Sequence, residues 1–257
     1  MYSYWPVVGL LASAWEEDAL FLFASTRCRR LWCAIGRNFT MNKNDSDYIE
    51  SRYHLRWGEG WLRSARHGLP ILNREFIVPD RAVPFDKIDC TADKHGCVIF
   101  NLADRRIDRI WNNPERYIER LRQFDCVATP DFSLLLNMER PFIEYNVLRS
   151  LKLGKWMQDQ GVHVLPTVMW AYPDTYDVCF EAMPRKSVVL VSSVGSFRRK
   201  ESRTYFIQGM KVMLDRLNPV GIILYGPVPP FDFAVPVVRH FDRVSPTCFN
   251  SYQPDLI

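Results

Sequence analysis

Between residues 124 and 226, short runs of consecutive apolar, mostly β-branched residues alternate with longer stretches whose apolar positions recur every three or four residues. The runs 126–129, 162–169, 188–193 and 221–225 are continuous rather than alternating, the pattern of strands buried on both faces. Between them the helical period predicts helices over 140–160, 174–183 and 200–217. The first places Ile143, Val147, Leu151 and Met157 near one face and ends at Gly161; the last carries Phe206, Met210, Met213, Leu214 and Leu217. Upstream, a strand over 97–101 leads into helices at 104–111 and 114–123, where Pro114 suits a first helical position. A further strand is expected at 236–240. Strand and helix units in succession imply parallel strands with right-handed crossovers. The predicted class is therefore α/β, with a mostly parallel sheet of about six strands, either an open sheet or an incomplete TIM-like barrel.

The chain in front of this core reads differently. A helical pattern begins near Asp45, with Asp47 and Glu50 in its first turn, and Gly58 and Gly60 end or bend it. Residues 69–86 are punctuated by Pro70, Pro79 and Pro84 and read as an irregular, partly extended connector. Residues 1–40 change composition again, mixing Arg27, Arg29, Arg30 and Arg37 with Trp32 and Cys33 before an ordinary polar stretch follows Met41. They are read as an N-terminal extension outside the native domain, with an amphipathic helix over 15–25 as the alternative; residues 41–257 are read as a single α/β domain. Glu16, Glu17 and Asp18 interrupt the apolar stretch 7–23, so no run reaches the ~18–20 residues needed to span a bilayer. No basic region precedes it, as a secretory signal would require.

Composition narrows the function classes. The 257 residues carry 33 Lys and Arg against 29 Asp and Glu, a net charge of +4. Both signs are interspersed, so the surplus serves solubility better than a nucleic-acid footprint. Seven scattered cysteines, an odd number, make no disulfide framework in a chain this long, and reduced thiols in the cytoplasm are expected.

If the strands are parallel, their C-terminal ends share one edge, where ligands bind in open sheets and barrels alike. That edge collects Asp131 and Ser133, then Trp170, then Ser192, Ser193 and Gly195, then Tyr225. Asp131 is the candidate acid or base, oriented by Asn146, with an Asx-turn role after Pro130 as the bland alternative. The stretch 192–196, followed by Arg198 and Arg199, is the candidate anion site, because free amides at a helix N-terminus and guanidinium forks favour phosphate. Trp170, Tyr172 and Tyr225 offer faces for a base or sugar. Neither the P-loop spacing nor the dinucleotide glycine fingerprint is present. A nucleophile elbow is absent too. Cys90, His95 and Cys97 lack zinc spacing, so no metal is assigned, and no cofactor is identifiable.

The segments Phe124 to Leu134, Asn146 to Arg149, Gln160-Gly161 with Leu165 to Trp170, and Ile222 to Gly226 together resemble the uncharacterised bacterial and mobile-element family catalogued as domain of unknown function 4417. The likeness spans 69–226 and implies no activity. It departs from the family pattern at Val98 to Asn101 and Ala103-Asp104, where the resemblance implies a histidine-rich strand and an Asp pair; only Asp104 remains. Two function classes follow: an α/β enzyme holding a small phosphate-containing ligand, or a non-catalytic phage or plasmid accessory protein binding nucleic acid or a host protein.

Overall fold

The computed structural model describes residues 43–233 and 235–241. Expectations for residues 1–40 lie outside the described residues. The chain divides into two compact units, residues 1–53 and 54–257. Of the first, the described part is helix α1, Lys43–Tyr53, with Asp45 in its first turn and Arg52 in its last, each complementing the helix dipole.

The second unit carries seven strands among its described residues: β1 (Ala82–Pro84), β2 (Cys97–Ile99), β3 (Cys126–Ala128), β4 (Val164–Leu165), β5 (Val188–Ser192), β6 (Gly221–Tyr225) and β7 (Val237–Phe241). Helices α2 (Asp104–Asn112) and α3 (Glu115–Leu121) follow β2, α4 (Arg140–Asp159) follows β3, the short α5 (Tyr176–Phe180) follows β4, and α6 (Lys200–Leu217) follows β5. Every strand pair is parallel, in the order β1-β2-β3-β4 in one sheet and β5-β6-β7 in another. The α/β class holds; the single sheet of about six strands is replaced by sheets of four and three.

Two local causes explain that difference. The first is β1, which lies inside the proline-punctuated stretch read as a connector: Pro84 ends it, and Cys97 N–H donates to the Arg81 carbonyl at 2.8 Å. The second is Pro166, which has no N–H to give and cuts the expected strand 162–169 to two residues. Beyond it Thr167 turns to side-chain bonding, its N–H donating to Thr129 Oγ1 and its hydroxyl to the Thr129 carbonyl, both at 2.8 Å. A single parallel bridge, Thr167 with Leu190, then links the two sheets; Leu190 N–H donates to the Pro166 carbonyl and Val168 N–H to the Leu190 carbonyl. The expected helix over 174–183 is likewise shorter, a 3-10 turn at Pro173–Thr175 followed by α5.

The continuous apolar runs are explained by what each face meets. Val83, Val98, Val127 and Val164 pack on Ile107, Ile110, Leu121, Leu153 and Met157 from α2, α3 and α4. Val189, Val191 and Ile222 pack on Ile143, Val147 and Leu151 of α4 and on Phe206, Met210 and Met213 of α6. The alternate positions Ala82, Cys97, Ile99, Cys126, Ala128, Leu165, Val188, Leu190, Ile223, Tyr225 and Phe241 form a third cluster drawn from all seven strands. Each Val, Leu or Ile so buried contributes about 1.5–3 kcal/mol of transfer free energy. Helix α4 approaches β3 closely at Gly154, where an added Cβ would come within 2.5 Å of Thr129 Cγ2. No helix among the described residues is long and apolar enough to cross a membrane.

Candidate functional site

The strand C-termini open into a cavity of about 310 Å³. Its polar side is built from the ends of three strands: Asn101 two residues past β2, Asp131 three residues past β3, and Ser192 closing β5. Ser133 and Ser196 add hydroxyls. Leu134, Val168, Trp170 and Phe206 give it apolar lining as well. No lysine, arginine or histidine is among the described residues that line it.

Asn101 ties the polar side together. Its amide nitrogen donates to Asp131 Oδ2 at 2.7 Å and to Ser192 Oγ at 2.8 Å. Ser192 Oγ also accepts the Val194 N–H at 3.3 Å. The other oxygen of Asp131, Oδ1, is shielded from solvent and has no hydrogen-bond partner among the described residues. Burial of this carboxyl raises its pKa to about 8; its own amide and the Asn101 side chain oppose the rise, and the nearby Asp104 charge adds to it. Burial therefore favours the protonated, neutral form of Asp131 at pH 7. Asp104, first residue of α2, is held by Ser133, which donates its N–H at 3.1 Å and its hydroxyl at 2.8 Å to Oδ1. Buried unpartnered oxygens are rare in folded proteins, because each forgoes the hydrogen bonds water would have given it.

Trp170 is fixed as a wall by three contacts. Its indole N–H donates to the Tyr205 carbonyl at 3.2 Å, and its ring lies against Phe180 and Phe206 at 5.8 and 5.3 Å. Behind it Gly209 in α6 leaves room that a methyl group would fill, since a Cβ there would overlap the indole.

Of the residues predicted from sequence, Asp131, Ser133, Trp170 and Ser192 converge on this cavity. Others stand elsewhere. Asn146 is buried and does not orient Asp131: its amide donates to the Ser133 carbonyl at 2.8 Å, and its oxygen accepts from Arg149 at 2.7 Å. Ser193 is buried, its hydroxyl donating to the Pro227 carbonyl at 2.5 Å. Tyr225 is buried in the third core cluster, drawn from the strands. Gly195, with φ of +85°, and Arg198 and Arg199 are exposed and do not line the cavity. The amides expected to be free in that loop are largely engaged: Ser193 N–H donates to Tyr225, Val194 N–H to Ser192 Oγ, Ser196 N–H to Ser193 and Arg198 N–H to Gly195. Sequence reasoning passed over Asn101 as a residue of the cavity lining, although a polar amide ending a buried apolar strand was the available signal. Among the described residues no cluster of three His, Cys, Asp or Glu is arranged to hold a metal.

Comparison with known proteins places these residues inside a matched region. Residues 62–242 match the family described as Domain of unknown function (DUF4417). The chain is 37% identical over 154 residues to the Gene 1 protein of Mycobacterium phage L5, covering 60% of this chain and 67% of that protein. It is 40% identical over 131 residues to the Gene 1 protein of Mycobacterium phage D29, covering 51% of this chain and 48% of that one. No solved structure matches.

Proposed function

The chain belongs to the DUF4417 family, a domain of unknown function related to phage proteins, and on that footing we propose that it binds a small molecule in the cavity at the strand ends, with Asp131 as the group that gives or takes a proton. The observation that carries this is Asp131, which lines that cavity and whose shielded Oδ1 has no hydrogen-bond partner among the described residues. A fold gains nothing from burying a carboxyl that it leaves half unsatisfied, and such groups cluster where a ligand completes the bonding. A pKa near neutrality suits general acid or base work, which is most effective when the group titrates near the working pH. The uncharged lining favours a neutral ligand over the phosphate expected from the 192–199 loop, since Arg198 and Arg199 lie outside it.

The same reading takes the two sheets as one barrel-like wall. It is supported by the Thr167 to Leu190 bridge, by the core cluster contributed by all seven strands, and by the 2.9 Å bond from Arg239 of β7 to Asp80 just ahead of β1. A cytoplasmic setting is supported by Cys90, Cys97, Cys126 and Cys179 standing as free thiols.

The test is a thermal-shift screen of neutral, anionic and cationic small molecules and short oligonucleotides against the full chain and a Ser196→Trp variant, whose indole plugs the cavity. Ligands that raise the melting temperature of the wild type and not of the variant support the reading. If only oligonucleotides bind, equally in both and with steep salt dependence, the protein acts on nucleic acid through its surface instead.

A further inference from the structure

Hydrogen-bond accounting at the cavity specifies what kind of ligand would satisfy it, and this step rests on the function proposed above. The two hydrogens on the Asn101 amide nitrogen are both used, one on Asp131 Oδ2 and one on Ser192 Oγ. Ser192 Oγ, accepting from Asn101 and from Val194 N–H, has its acceptor capacity filled, so what its hydroxyl has left to offer is its own hydrogen. Asp131 is in the same position. Its Oδ2 accepts from Asn101, and in the neutral acid the remaining oxygen, Oδ1, bears a hydrogen for which the described residues supply no acceptor. Asn101 thus turns its two neighbours into a pair of donors whose oxygens it holds from behind.

We infer that the cavity recognises a neutral carbonyl compound, its oxygen accepting hydrogen bonds from the Asp131 carboxyl and the Ser192 hydroxyl and its apolar body lying against Trp170. Charge decides between carbonyl and carboxylate. Two donors would serve either, but a carboxylate or phosphate brought into a cavity without a cation, beside the Asp104 carboxylate, would forfeit its hydration with nothing to replace it. A carbonyl oxygen costs far less to desolvate. The flat indole of Trp170, half-buried and fixed by its bond to Tyr205, offers an aromatic or cyclic ligand a face to stack on. A carbonyl gripped by two donors in a shielded site is also polarised, the arrangement that stabilises charge developing on that oxygen.

The group that sets the pH response is Asp131 alone among the polar residues of the cavity. Asn101, Ser133, Ser192 and Ser196 do not titrate in the working range, and Asp104, on α2, is the charged group acting on it. Above a pH of about 8 the Asp131 hydrogen is lost and the carboxylate repels the carbonyl oxygen it had held.

The test uses the full chain, labelled with ¹⁵N, and probes that keep one phenyl ring and vary the head: acetophenone, benzamide, benzoate, phenyl phosphate and benzylamine. Dissociation constants come from NMR titration, followed on the Trp170 indole and the Ser192 and Val194 amides. Acetophenone and benzamide are expected to bind at least tenfold more tightly than benzoate and phenyl phosphate at pH 7, and to weaken about tenfold per pH unit above about 8. Ser192→Ala should weaken them roughly tenfold, the loss of one donor. Asp131→Asn, which keeps a donor at Oδ1, should bind within a few-fold of wild type with the pH dependence gone. Tighter binding of benzoate or phenyl phosphate, with the same cavity residues shifting, overturns the carbonyl assignment and leaves the small-molecule function standing. So does carbonyl binding indifferent to both pH and Ser192→Ala. If no probe shifts the cavity resonances, the site itself is refuted and this inference with it.

Discussion

Replacing Asp131 by asparagine should stabilise the protein, and by an amount that depends on pH. The carboxyl has its pKa raised from 3.8 to about 8 by folding, chiefly through burial. Between those values the unfolded chain has released the proton and the folded chain still holds it, so the unfolded state binds fewer protons and stability falls as pH rises. Each pH unit in that window costs about 1.4 kcal/mol, so the cost at pH 7 is about 4 kcal/mol, levelling off above about 8. Asparagine has the carboxyl's shape, its oxygen can accept from Asn101 as Oδ2 does, and its NH₂ occupies the Oδ1 position, but it has no proton to lose. The assay is urea unfolding of wild type and Asp131→Asn at half-unit steps from pH 5 to 9. The variant should be the more stable throughout, with a gap that widens by about 1.4 kcal/mol per unit to pH 8 and then holds constant. A gap that stays flat from pH 5 to 8 would mean that the carboxyl ionises normally in the folded state, and the neutral-acid chemistry built on it would fall.

Other expectations concern parts of the chain around that carboxyl or remote from it. Gly209→Ala, though alanine is the better helix former by about 1 kcal/mol, should destabilise by about 1–3 kcal/mol because the Trp170 indole occupies the space a methyl needs; unchanged stability together with an unmoved Trp170 NMR signal would contradict this. Burial opposes ionisation of Glu181, yet the Arg66 and His67 amides and the His67 ring hold its pKa below the ordinary 4.5, so its stabilisation is present above that value and lost as pH falls through the depressed one. Glu181→Gln should accordingly cost about 1 kcal/mol at pH 7 and progressively less as the pH falls below 4.5, read from paired melts. Arg198→Ala with Arg199→Ala should leave stability within about 0.5 kcal/mol, both residues being exposed; a larger loss would reveal a packing role for them. A chain starting at Met41 should give a soluble product with one cooperative melt, and insoluble or molten material would refute the domain boundary.

The parts of this fold that sequence revealed are those in which a single physical signal dominates. Valines and isoleucines in unbroken runs marked β5 and β6 to the residue or nearly so, because both faces meet apolar neighbours. Gly161, with φ of +79°, closes α4 as its position after Gln160 predicts. What stayed hidden depends on partners distant in the chain. Strand β1 is three residues inside a proline-rich stretch and exists because β2 offers it a ladder. The division into two sheets follows from Pro166 and from the Thr129 to Thr167 exchange, side chains 38 residues apart. At the cavity, the strand-end rule named four of its lining residues, Asp131, Ser133, Trp170 and Ser192, since it needs only parallel topology. Ser193 and Tyr225, which the same rule names, are buried instead of lining the cavity, Ser193 bonded to the Pro227 carbonyl and Tyr225 packed in the core cluster shared by the strands, and the rule passed over Asn101, which joins the lining only when Asp131 and Ser192, 30 and 91 residues away, are brought to it.

Asn101 rises from β2 and reaches Ser192 of β5, and so one amide crosses from the four-stranded sheet to the three-stranded one. Among the described residues the only ladder bridge across that line is Thr167 with Leu190. The cavity therefore stands over a mechanical joint. Anything held between Asp131 and Ser192 is a rivet, loaded whenever the two sheets are pulled apart, and its binding energy adds directly to their cohesion. If the cavity holds a small molecule as proposed, force applied across the joint, or any mutation that lets it gape, should weaken its hold on that guest.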